Sequence, residues 1–178
     1  PHKAEKQTKQ EKQNQQNKMN RRNMIATGIA GISALAFTKA GAQTPDATNP
    51  ELENVRKLLH AHDKATTDHD LEGVMACLAE DAAVMGTGPG EMWSGKEELK
   101  LAYEHFFMVY DKGEQEFEYN FLHGDLAADM GWAMTSGTVK GKKDGKEFSY
   151  PLNVSLTVAK KGGEWKIAAM HFSTLTGK

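Results

Sequence analysis

The 178-residue chain is 39% hydrophobic and 26% charged, with a formal net charge of −2 and a mean hydropathy of −0.61. Those figures exclude a protein of many membrane helices and a disulfide-stapled miniprotein. The charge is split unevenly: residues 1–42 hold eight basic against two acidic side chains, which leaves 14 basic against 22 acidic in residues 43–178. An acidic domain repels phosphate backbones, so the folded part is not expected to bind nucleic acid.

Residues 1–18 contain no large apolar side chain. Nothing there offsets the entropy of ordering a chain, and disorder is expected. Met19 is a natural start, so this stretch is either a native tail or an extension upstream of the true start. Residues 19–42 read as a signal peptide: Arg21-Arg22 as the basic region, Met24 to Phe37 as the apolar run, and Ala40-Gly41-Ala42 as a small-x-small cleavage site. The apolar run is about 14 residues, short of the roughly 20 that span a bilayer. Asn20 to Ile25 resembles a twin-arginine signal, with general secretion as the alternative. An exported protein, periplasmic or secreted and without a membrane anchor after cleavage at Ala42, is the expectation. Cys77 is the only cysteine. No intramolecular disulfide can form, and its apolar setting reads as a buried thiol.

Residues 43–50 form a Pro/Asn/Thr linker, and a single domain is expected over 51–178. Leu52, Val55, Leu58, Leu59 and His62 recur at three- and four-residue spacing, which predicts a helix capped by Asn49 with Pro50 at its first position. Asp68 to Asp70 break it, and Asp70 caps a short second helix bearing Leu71, Val74, Met75 and Leu78. A brief strand, Ala82 to Met85, precedes a glycine-rich loop from Gly86 to Glu91. Ser94 opens a third helix to Tyr110, with Glu97 completing a capping box. From Glu116 the period changes to two, and strands are predicted at Glu116–His123, Trp132–Val139, Phe148–Val158 and Trp165–Ser173. The class is α+β: three helices packed on one face of a strongly curved, mixed or antiparallel sheet.

Four stretches carry a family resemblance: Asp68 to Val74, Leu78 to Val84, Trp93 to Leu99, and Trp165-Lys166-Ile167 with His171-Phe172-Ser173. Their order and spacing resemble the SnoaL-like branch of the nuclear transport factor 2-like superfamily, to which ketosteroid isomerase also belongs. The resemblance implies a cone-shaped domain around an apolar pocket, forming a homodimer through its sheet. It also places Gly86 where the isomerase has its catalytic aspartate, His62 where it has a tyrosine, and Asn153 near a second aspartate. A glycine cannot accept a proton, so steroid isomerisation is not expected.

The candidate catalytic residues are His171 and His62. On the last strand Trp165, Ile167, Ala169, His171 and Ser173 share one face by strict alternation, taken to be the face toward the helices. Each histidine could act as an acid/base or orient a ligand; the competing reading for both is a core imidazole hydrogen-bonded to a neighbour. Asn153, Trp93, Tyr119, Trp132, Met85, Phe107 and Glu91 complete the expected pocket, Glu91 competing with the reading of a solvated loop acid. His60 and His62 lie two apart and do not face each other on a helix, so neither a metal nor another cofactor is expected. Three functions remain: binding a small apolar molecule, acid/base catalysis on a carbonyl compound of isomerase, cyclase or dehydratase type, or homodimeric association without a ligand.

Overall fold

The computed structural model describes residues 49–174. The leader, its cleavage site and nearly all of the linker lie outside them. Helix α1 spans Pro50–Thr67, α2 Leu71–Cys77 and α3 Gly95–Val109; strands are β1 Leu78–Met85, β2 Met92–Ser94, β3 Glu116–Leu126, β4 Met130–Lys143, β5 Lys146–Lys161 and β6 Glu164–Ser173. The Asn49 side chain accepts the Glu51 N–H at 3.0 Å, so the first helix begins where its cap predicts. Asp70 caps α2 through the Gly73 N–H, also at 3.0 Å. The capping box on α3 differs from expectation. Glu98, not Glu97, reaches back to the Ser94 N–H at 2.9 Å, and the Ser94 side chain makes no cap bond.

The sheet runs β2-β1-β6-β5-β4-β3, with β1 and β6 parallel and every other pair antiparallel. Its mixed character arises because α3 carries the chain to the far edge at β3, and the β3–β6 meander then returns to lie parallel beside β1. The β4–β5 turn has Asp144 and Gly145 at φ 53° and 72°, and the β5–β6 turn has Gly162 and Gly163 at 61° and 89°. Paired positive φ values make type I′ turns, whose twist matches the strands they join.

Two bulges bend the long strands. Asn120 is the extra residue between the Tyr119–Gly137 and Phe121–Ser136 pairs, and Ala168 the extra one between Val158–Ile167 and Thr157–Ala169. Each adds twist and reverses the side-chain alternation beyond it. One face of the sheet, carrying Val84, Val139, Leu152, Val154, Val158, Ile167, Met170 and Phe172, packs against Leu59, Val74, Leu99, Tyr103 and Phe106 of the helices. Burying each large apolar side chain contributes roughly 1.5–3 kcal/mol. At the start of α1, Glu51 accepts the Trp165 indole N–H at 2.5 Å and pairs with Lys160 at 3.1 Å, fastening the helix to the last two strands.

Candidate functional site

The apolar stripe of α1 carries polar groups into the interior. Leu52, Val55 and Leu59 point at the sheet, and continuing the helical spacing brings His62, Asp63 and Thr66 onto the same buried side. His62 and Asp63 are 2% and 3% exposed. The His62 Nε2 lies 2.7 Å from the Tyr103 hydroxyl on α3, and the two rings meet edge to face. Complete burial lowers His62 from 6.5 to about 4 and pushes Tyr103 far up, so both are neutral at pH 7. Nδ1 makes no hydrogen bond and is 4.0 Å from Asp63 Oδ1. We assign the imidazole proton to Nδ1, facing that carboxylate, with the Tyr103 O–H donating to Nε2.

Tyr119 on β3 closes the group. Its hydroxyl is buried without a hydrogen-bond partner among the described residues. Burial raises it strongly, and the Asp63 carboxylate adds to the rise. One interior thus gathers a neutral imidazole, a carboxyl and two phenols, two of whose polar atoms are unpaired. Leaving a buried donor unsatisfied costs about 1–3 kcal/mol, and such groups mark ligand or water positions more often than idle core. One to three turns before His62, Leu52, Val55, Arg56 and Leu59 face Gly124, Leu126, Gly131, Ala133, Leu156 and Val158 across a hollow of about 30 Å³. That holds about one water.

Other expected site residues are dispersed. His171 is exposed on the sheet face away from the helices, because the Ala168 bulge hands the inward positions to Met170 and Phe172. Asn153 is exposed between inward Leu152 and Val154, and its side chain reaches Ser173 Oγ at 3.5 Å. Trp132 and Met85 share that outer face, and Trp132 also borders the hollow between α1 and the sheet. Trp93 and Phe107 pack against the core, Phe107 stacking on His69 at 4.6 Å. Asp63 and Tyr103, absent from the expected site, are the additions; four residues beyond Leu59 on an apolar stripe was the signal for Asp63.

Glu91 is 4% exposed rather than solvated. Its carboxylate accepts the Gly88 N–H at 2.8 Å, while Gly86 N–H donates to its main-chain carbonyl at 2.9 Å. Burial raises its carboxyl above the ordinary range, against the pull of the Gly88 and Thr87 amides. A Cβ at Gly86 would meet Glu91 Oε2 at 2.4 Å, so the glycine is there to make room for the acid. Gly86→Ala is expected to lower stability by about 1 kcal/mol, read as a reduced urea midpoint. An unchanged midpoint would mean the carboxylate moves aside without loss.

Residues 55–177 match the SnoaL-like domain. The chain belongs to the SnoaL-like family. Solved structures agree with that placement. A ketosteroid isomerase-like protein from Erwinia carotovora atroseptica is 23% identical, with a TM-score of 0.57 over 72% of this chain and 99% of that one. A nuclear transport factor 2-like protein of unknown function from Pseudomonas putida KT2440 is 20% identical, with a TM-score of 0.60 over 70% and 87%. A protein from Nostoc punctiforme with a cystatin-like fold is 18% identical, with a TM-score of 0.60 over 73% and 95%. At these identities the likeness is one of fold, and a SnoaL-like fold does not by itself assign chemistry. Among curated proteins, none matches the sequence significantly.

Proposed function

We propose that this SnoaL-like domain binds a small, mostly apolar molecule carrying one oxygen function, in the interior between α1 and the sheet. The observation that carries the reading is the Tyr119 hydroxyl, buried without a hydrogen-bond partner and within electrostatic reach of Asp63. A carbonyl or hydroxyl oxygen can take that O–H bond, while Leu52, Val55, Leu59, Leu156 and Val158 supply the apolar wall. The hollow of about 30 Å³ is smaller than such a ligand, so α1 shifts outward as the molecule enters. Tyr119→Phe gives the test, because its two effects have opposite signs. Without ligand it raises stability by about 1 kcal/mol, since an unsatisfied hydroxyl leaves the core. It also abolishes the rise in melting temperature caused by oxygen-bearing apolar compounds, which native mass spectrometry of the purified chain can identify by co-purification. A variant that keeps the ligand-induced rise overturns the reading.

A second reading is acid/base catalysis in the same interior, favoured by Asp63. Its carboxyl can take a proton from a carbon next to a carbonyl whose oxygen is held by Tyr119. His171 and Asn153, on the outer face, have no part in it. Export through the leader stands as a further proposal, tested by whether the mature chain begins at Gln43. Pairing of two copies through the outer sheet face is proposed as well. Met130, Trp132 and Met134 are 41–55% exposed there along one strand, and a twofold axis would set identical apolar bands against each other. Sedimentation of Trp132→Glu as a monomer, against a wild-type dimer, is the expected result.

A further inference from the structure

The outer face of the sheet carries a second constellation, on the opposite side from the interior cluster and independent of it. Met92 on β2 pairs with Met85 on β1, and Met85 pairs with His171 on β6. His171 pairs with Ser155 on β5, and Ser155 with Met134 on β4. Residues directly opposite in a sheet point to the same side. Met92, Met85 and His171 therefore form one contiguous row across three neighbouring strands. All three are exposed, the methionines at 58% and 44%, and all three line one trough of about 450 Å³.

We propose that Met92, Met85 and His171 bind a soft monovalent cation, Cu(I) or Ag(I). Two thioethers and an imidazole are a donor set that suits such ions, because thioether sulfur is soft and uncharged and imidazole suits copper. The row holds no carboxylate, which disfavours magnesium, calcium and manganese. Among the described residues no three His, Cys, Asp or Glu side chains converge, so a zinc site of the usual kind is absent there. The geometry is permissive. Neighbouring strands lie about 4.8 Å apart, and the rotatable bonds of each methionine let its sulfur swing toward a point above Met85. The Ala168 bulge turns His171 onto the same outward face as the two methionines. Within a single chain, packing gives no account of this row, since these methionines leave apolar surface in water instead of burying it. The three residues span β2, β1 and β6, and Trp132 and Met134, two strands beyond His171 on β4, line the far side of the same trough. The ion is held without a change of oxidation state.

The test is a competition titration of the purified full chain with Cu(I), kept reduced by ascorbate without oxygen and buffered by bathocuproine disulfonate. One Cu(I) per chain is expected to leave the chelator. Met85→Leu, Met92→Leu and His171→Gln should each weaken binding at least tenfold. Met130→Leu and Cys77→Ser should leave it unchanged, the first being an exposed methionine outside the row and the second the sole thiol. Leucine preserves volume and apolarity, so far-ultraviolet circular dichroism of the variants should match wild type. Failure to withdraw Cu(I), wild-type affinity in the Met85→Leu/Met92→Leu double variant, or loss of binding in Cys77→Ser overturns the assignment.

Discussion

Taking the protein from pH 7.5 to pH 4.5 removes most of about 3 kcal/mol of stability that a single imidazole controls. Burial depresses His62 from 6.5 to about 4. Between those values the unfolded chain takes up the proton and the folded chain refuses it, so the unfolded state binds more protons. Stability is therefore complete above pH 6.5 and falls as the pH is lowered toward 4. The proton is refused because the ring is sealed in the core, where a charged imidazole loses its hydration. Glu91 works the other way. Its raised carboxyl is relieved by protonation, so acid favours the folded state through that group. The two are separated by His62→Gln, which keeps a polar partner for Tyr103 and removes the titration. Urea unfolding at both pH values should show wild type losing about 2–3 kcal/mol more than the variant. Equal losses would mean that His62 does not control the acid sensitivity.

Gly137→Ala is expected to cost about 3 kcal/mol, at the upper end of the range for overpacking. A Cβ there would lie 2.2 Å from the Glu118 carbonyl oxygen and 2.6 Å from the Phe117 ring. The carbonyl is main chain in a paired strand and cannot swing away, so β3 itself must shift. The shift would occur beside Tyr119, the partner of Gly137 just before the Asn120 bulge. For a domain of this size the loss corresponds to roughly 6–12 °C in melting temperature. Ser136→Ala is the control, because its neighbouring position points to the other face; a drop below about 2 °C is expected there. If Gly137→Ala melts with wild type, the close approach of the two strands is not a constraint on the fold.

Much of this domain is legible locally. Asn49, Pro50 and Asp70 announce two helix starts, and Asp144-Gly145 and Gly162-Gly163 announce two hairpins, because caps and type I′ turns depend on a few adjacent residues. The short strand Met92–Ser94 escapes such reading, since three residues carry no period. Its place is set by pairing with β1 and by the Glu91 carboxylate beneath the loop.

The sequence by itself determined the α+β class, the order of every element but the short β2, and the family resemblance, because periods of 3.6 and 2 and their punctuating residues are written into the chain directly. Only the tertiary structure decided which side chains meet. Strict alternation sends His171 inward, but one extra residue at Ala168 inverts every side chain beyond it, and the bulge exists only through pairing with β5. Asp63 and Tyr119 reach the same interior from elements more than fifty residues apart. Their proximity is a product of sheet curvature and helix packing, which no local pattern encodes.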